Sequence, residues 1–393
     1  MARLPSRLPI MTAMSGSPGD SARARTEWPL DPAVAYLNHG GYGVAPNAVL
    51  ARQAEWRRRI ETNPMHFMTR ELAPAWRHAA ATLAAYLGAR GDDLVFVANA
   101  TAGCNAVLRS LDFAPGDEIL LTSLAYGAIA KAVRHVAAVS GASVVTAEIP
   151  LPLADEAAIA AAVAARLGPR TRLVVLDHIA SASALVLPVA EVAALARQAG
   201  ARVLIDGAHA PGQVPLDLPA TGADWYVGNC HKWLMAPRGC GFLWAPEASQ
   251  PELRPLAISH GYGAGFLAEF DWTGTIDPTP FLCVPDGIAC HTRLGGPELM
   301  ARNRRLALEA ARLLAARWGT ALGGPPDSFA AMVTVRLPLP DATVDAAIAL
   351  ERRLAAEHRI EMAIMAQAGA LWARVAAQAY NQLGDYERLA AVL

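Results

Sequence analysis

Between residues 94 and 244 the chain alternates short, continuous apolar runs with stretches of helical periodicity. This rhythm limits the fold more than any other feature. Seven runs read as strands: 94–98, 118–122, 143–147, 172–176, 202–205, 225–227 and 241–244. Helical patterns at 101–111, 126–140, 156–166 and 189–199 fall between several of them. A run that is apolar at successive positions is buried on both faces, and strands joined through helices run parallel. The expected class is α/β, with a mainly parallel seven-stranded sheet covered by helices on both faces.

Helical patterns at 47–61 and 70–87 precede the rhythm. It breaks near Pro246 into a Gly/Pro/Thr-rich loop region, 260–285, followed by a long helix at 297–318. A smaller α+β tail comes next, with a strand at 332–337, a helix at 344–358, strands around 361–365 and 371–376, and a last helix for which Asp385 is the expected N-cap. The expected organisation is a disordered extension over 1–27, an N-terminal segment and large domain over 28–285, and a small C-terminal domain over 286–393.

Composition excludes several classes. The 34 Lys+Arg against 35 Asp+Glu leave a net charge of -1, unlike a general nucleic-acid binder or a polybasic membrane-surface protein. With 53% hydrophobic and 18% charged residues the chain is not largely disordered. The longest apolar stretch, 173–196, is broken by Asp177, His178, Pro188 and Glu191, so no transmembrane helix is expected. Arg3, Arg7 and nearby prolines make a poor signal peptide. Five cysteines without a CxxC read as reduced thiols in a cytoplasmic protein. Among the basic residues only Lys131 and Lys232 are lysines.

The sharpest constellation is Val203-Leu-Ile-Asp206-Gly-Ala-His209 followed by Trp225-Tyr-Val-Gly-Asn-Cys-His231-Lys232. Both Asp206 and Lys232 fall at strand C-termini, the rim where open parallel sheets bind ligands. A lysine there can form a Schiff base with pyridoxal phosphate, while an aspartate holds a proton on the pyridine nitrogen. A structural Asp–Lys ion pair is the alternative. Asn99-Ala100-Thr101 opens a helix after a strand and suits a phosphate, or is an ordinary cap. Tyr126 could stack on a flat ring or pack in the core. Asp177, His178 and Ser181 add polar groups to the same rim. Arg374 interrupts an apolar strand and could bind a carboxylate bidentately or an internal acid.

Together these residues resemble the class V aminotransferase family of fold-type I pyridoxal-phosphate enzymes, in the branch of isopenicillin N epimerase-like proteins and cysteine-conjugate C–S lyases. The resemblance runs from about 36 to 393. It rests on Tyr36-Leu-Asn-His-Gly-Gly-Tyr-Gly, Asp206-Gly-Ala-His-Ala-Pro-Gly, Gly228-Asn-Cys-His-Lys-Trp, Pro237-Arg-Gly-Cys-Gly-Phe, Trp272-Thr-Gly-Thr-Ile-Asp-Pro, and Arg374 followed by Ala379-Tyr-Asn. It implies that Lys232 is the Schiff-base lysine and the proton shuttle at Cα, and that Asp206 pairs with the pyridine nitrogen. His209, with Ser181 close by, would lie near the phenolic oxygen, and Tyr126 would stack on the ring. Ala100, Thr101, Asn229 and His231 would hold the phosphate, and Thr275 would reach the phosphate of a neighbouring subunit in a homodimer with shared sites. Arg374 would clamp the carboxylate of an amino-acid substrate, with Asn38 and His39 lining the entrance.

Two departures stand out. Ser123-Leu-Ala precedes Tyr126 where relatives carry an acidic or His-containing stretch. No cysteine lies in 362–372, where cysteine desulfurases carry a catalytic thiol, which speaks against persulfide chemistry. Cys230, beside His231, reads as a buried structural thiol, with a reactive one as the alternative.

The leading expectation is a C–S β-lyase acting on a cysteine-derived thioether in specialised metabolism. Alternatives are an epimerase, an aminotransferase or decarboxylating deaminase, and a catalytically dead scaffold. Two-base epimerisation needs a second acid/base, for which Tyr126, His178 and His39 are candidates. A metal hydrolase built on His178, His209 and His231 lacks HExxH-type spacing, so no metal is expected.

Overall fold

A computed structural model describes residues 25–340 and 342–393. The extension expected over 1–27 lies outside the described residues up to position 24. The twelve strands among the described residues are β1 (Ala35–Tyr36), β2 (Leu94–Val97), β3 (Glu118–Thr122), β4 (Ser143–Ala147), β5 (Thr171–Asp177), β6 (Arg202–Gly207), β7 (Trp225–Asn229), β8 (Gly241–Trp244), β9 (Met332–Arg336), β10 (Ile360–Glu361), β11 (Ala363–Gln367) and β12 (Ala370–Ala376). β2 to β8 form one seven-stranded sheet in the order β2-β8-β7-β6-β5-β3-β4. Only β8 runs against its neighbours, pairing antiparallel with β2 and β7. The expected class and the mainly parallel sheet are borne out.

The continuous apolar runs have the physical cause expected of them. Successive side chains of a strand leave opposite faces of the sheet. Phe96, Leu120, Val174, Leu176, Val203, Ile205, Tyr226 and Phe242 enter one hydrophobic core. Their alternates Val95, Ile119, Leu121, Leu173, Val175, Leu204, Trp225, Val227 and Leu243 enter a second. Each large side chain buried in this way contributes about 1.5–3 kcal/mol. This alternation also sorts the rim residues by face, which decides which of them can reach a common ligand.

The connections out of β3 and β5 diverge. β3 leads outward to β4, whereas β5 leads to β6 on the other side. A crevice opens at such a switch point, beyond the strand C-termini. The helix Ala100–Ser110 starts beside it, capped by Asn99, whose Oδ1 accepts the Ala102 N–H at 2.9 Å.

The tail forms a three-stranded antiparallel sheet, β11-β12-β9. β1 pairs in parallel with β10, so the first described strand is hydrogen-bonded to a strand within the tail. The last helix differs from expectation. It runs Leu383–Ala390 with Gln382 as N-cap, and Asp385 sits three residues further on, accepting the Gln382 N–H in a capping box. The helical pattern at 70–87 is interrupted by a π turn over Phe67–Glu71 before Leu72–Tyr86. Among the described residues no helix is long and apolar enough to cross a membrane.

Candidate active site

The strand C-termini enclose a cavity of about 240 Å³. β2 leads to Asn99, Ala100 and Thr101, β3 to Tyr126, β5 to Asp177, Ile179 and Ser181, β6 to Asp206, Ala208 and His209, and β7 to Asn229, His231 and Lys232; Gly41 and Tyr42 complete the wall.

Lys232 follows β7 in a half-buried position. Its Nζ lies 3.1 Å from Nε2 of His209, rather than in an ion pair with Asp206. Burial, then repulsion from Arg374, pushes the ammonium down to about 8, against the attraction of Asp206 and Asp177. The structural ion pair considered from sequence is therefore not what forms. Burial first, then the charges of Lys232 and Arg374, holds the His209 imidazole well below its ordinary range, and its Nδ1 is buried without a partner. Asp206 accepts the Ala208 N–H through Oδ1 at 3.0 Å, and burial raises its carboxyl above the usual range.

The anion subsite differs in one detail from expectation. The Ala100 amide donates to Asn229 Oδ1 at 2.9 Å, so it is spent within the protein. That bond fixes the Asn229 side chain with its NH₂ still to offer. His231 Nδ1 is held against the Cys240 carbonyl at 2.8 Å, which leaves Nε2 for a ligand. The Thr101 amide and hydroxyl complete a set of donors at a helix start, suited to a phosphate. Tyr126 is 45% exposed at the cavity mouth, so core packing is not its role.

Arg374 is buried on β12. One Nη donates to the carbonyl and hydroxyl of Ser181, the other to Asn38 Oδ1 at 2.9 Å, and Nε has no partner. Among the described residues no carboxylate claims the fork, which sets aside an internal salt bridge there. Asn38 and His39 do not line the cavity; the segment turns so that Gly41 and Tyr42 do. His39 is fully buried, with Nδ1 at 2.9 Å from the Tyr380 hydroxyl and Nε2 at 3.0 Å from the Lys232 carbonyl. His178 leaves the opposite face of β5 from Asp177, and its Nδ1 meets the Tyr226 hydroxyl at 2.8 Å. Neither histidine reaches the cavity as a second acid/base. Thr275 is exposed and outside the cavity wall. Cys230 is buried with its thiol against Cys240, the structural alternative.

The glycines of Gly40-Gly41-Tyr42-Gly43 are explained by close approach. A Cβ at Gly43, where φ is +66°, would stand 1.9 Å from the His231 carbonyl oxygen. The segment thus lies directly against the backbone that carries Lys232. Sequence reasoning quoted Tyr42 and Asp177 without giving either a role. The usable signal for Asp177 was its place at a strand end next to that of Asp206.

Buried neutral histidines make stability fall with acid. Burial lowers both His39 and His178 to about 4 from 6.5. The unfolded chain therefore binds more protons between those values, and stability rises with pH across that window. The expected slope approaches about 1.4 kcal/mol per pH unit for each histidine. Urea midpoints measured between pH 4 and 7 check it; a flat profile would show that these rings are not held neutral.

Comparisons with known proteins agree with this geometry. The model of the family described as aminotransferase class-V matches residues 35–269, more than half of the chain. Isopenicillin N epimerase of Streptomyces clavuligerus is 36% identical, covering 95% of this chain and 98% of its own. L-cysteine desulfhydrase of Arabidopsis thaliana is 30% identical, covering 91% and 86%. Among solved structures, the cystine C–S lyase C-DES bound to its product cysteine persulfide superposes with a TM-score of 0.77 at 25% identity, over 92% of this chain and 97% of that one. A cysteine desulfurase from Thermococcus onnurineus NA1 shares the fold, with a TM-score of 0.80 at 20% identity over 97% and 98%. On the family match and the length of these alignments, the chain belongs to the class V aminotransferase family.

Proposed function

We propose that this chain binds pyridoxal 5'-phosphate and uses it for C–S β-elimination on a cysteine-derived thioether. The carrying observation is Lys232, a half-buried amine lowered to about 8, at the rim beside a buried aspartate. The donors fit the cofactor: an unspent anion subsite at Thr101, Asn229 and His231, an exposed aromatic at Tyr126, and an orphaned His209 Nδ1. Bound there, the cofactor supplies an electron sink for the charge left at Cα when the Cα proton departs.

The residues then have separable tasks. Lys232 would hold the cofactor at rest and, once the substrate amine displaces it, would take the proton from Cα as a free amine. The electron pair released there drives thiolate departure from Cβ, leaving an eliminated product that hydrolyses to pyruvate and ammonia. Asp206 holds a proton on the ring nitrogen, and His209 stands by the phenolic oxygen. Tyr126 stacks on the ring. Arg374 clamps the substrate carboxylate, held in place by Asn38 and Ser181. Elimination needs one base at Cα, whereas two-base epimerisation needs a second on the opposite face. His39 and His178 point elsewhere, leaving only Tyr126 of the candidates weighed from sequence, which favours the lyase over the epimerase.

The reading extends to a homodimer in which Thr275 reaches the partner's phosphate. Tyr262 and Ile276, exposed in the same loop region, and Leu256 and Ile258, exposed just before it, support a second copy covering it. Sedimentation as a monomer would overturn that part.

The test is to incubate the holoenzyme with cysteine S-conjugates, L-cysteine and paired D/L amino acids. Pyruvate and thiol released in equal amounts are expected from the conjugates. Inversion at Cα without pyruvate would establish the epimerase instead. Arg374→Ala is expected to raise KM for the conjugate by about 10²-fold, the loss of a charged bidentate contact, while visible cofactor absorbance persists. Loss of the cofactor would place Arg374 in another role.

A further inference from the structure

The end of β5 carries a carboxyl group to which the reading above gives no task. Asp177 is the last residue of β5, and its register partner on the parallel strand β6 is Asp206. Side chains in register on adjacent parallel strands leave the same face of the sheet, with strands about 5 Å apart. Both residues are buried and both line the cavity. Asp206 accepts the Ala208 N–H, while Asp177 accepts the Tyr126 N–H across the switch point. Lys232 is the cation that acts on both.

We propose that Asp177 and Asp206 work as one unit carrying a single negative charge, with the shared proton resident on Asp177, so that Asp206 alone faces the cavity as an anion. The inference deepens the cofactor reading and rests on it for its purpose, although the proton count concerns protein groups alone. Two neighbouring carboxylates withdrawn from water disfavour each other's ionisation, so that one proton is retained between them.

The surroundings decide which keeps the proton. Burial, then the charge of Asp206, pushes Asp177 well above the carboxylate range. Asp206 is raised by burial but drawn back by the Ala208 N–H and by Lys232. The other groups facing the pair add no negative charge. Burial lowers His209 and His231 and raises Cys104 and Tyr226, all toward their neutral forms, and Arg374 adds a positive charge that disfavours protonation of Lys232.

The consequence falls on Lys232. A second anion would hold its ammonium in place and remove the free amine that takes a proton from Cα. Asp177 is thus a positioning residue. It joins the loop after β3 to the end of β5 while leaving the lysine's proton balance undisturbed.

The test uses the holoenzyme. Infrared spectra near pH 7 are expected to contain the carbonyl stretch of a protonated carboxyl, shifted in D₂O and lost in Asp177→Asn. Because an amide copies a neutral acid, the pH midpoint of the visible cofactor absorbance is expected to stay within about 0.3 units in that variant. Removing a true anion beside Lys232 would lower the midpoint by about 1 unit or more. That shift, or absence of the carboxyl band from the unsubstituted enzyme, overturns the proposal. A protein without visible absorbance would instead defeat the cofactor reading, while the infrared band would still report on the pair. If Asp177→Asn fails to fold, the unsubstituted enzyme's band in H₂O and D₂O still decides.

Discussion

Lys232→Ala is expected to lower turnover by on the order of 10⁴-fold and to abolish the visible absorbance of lysine-bound cofactor. The amine has two tasks, covalent attachment and proton transfer at Cα, and alanine performs neither. Lys232→Arg should be nearly as inactive. It preserves the charge, but a guanidinium keeps its proton throughout the accessible pH range. Adding methylamine to Lys232→Ala should restore part of the rate by supplying a small free base. Turnover retained above a tenth in either variant would show that the proton at Cα moves by another route.

The sheet was legible because its signal is local and repeated. Within these runs, 173–176 and 203–205 are apolar at every position, and burial on both faces is the physical reason. The rim was legible for a related reason, since Asp206 and Lys232 end apolar runs and strand ends gather at one edge. Directions of side chains were not legible. Asp177 and His178 are adjacent in sequence, yet the pleat sends one into the cavity and the other to Tyr226. Asn38 and His39 were expected at the entrance on the family resemblance alone. Their partners, Arg374 and Tyr380, lie too far along the chain for spacing to indicate. The N-cap of the last helix was missed because Gln382 and Asp385 bond reciprocally, and the acidic residue drew attention first.

Asp206→Asn is expected to cost about 10³-fold in kcat, the scale of losing one preorganised electrostatic contact at developing charge. Asparagine matches aspartate in size, and its Oδ1 can still accept the Ala208 N–H. The fold should therefore survive, with a melting temperature close to that of the unsubstituted enzyme. What it lacks is the negative charge that keeps a proton on the ring nitrogen, so electron withdrawal from Cα weakens. Steady-state kinetics at saturating cofactor separates this from weaker cofactor binding. A variant with full kcat and only a raised cofactor requirement would make Asp206 an anchoring group alone.

The bonds that back the site also fix when it can exist during synthesis. His39 binds Tyr380 across a separation of 341 residues, and Asn38 binds Arg374 across 336. Closing such spans is entropically slow, and the distal partner must first be made. A ribosome that has released only the large sheet has exposed Lys232 and Asp206, but not the partners that hold Asn38 and His39 in place. The growing chain therefore carries its reactive lysine in an unfinished setting until residues 374–380 have emerged.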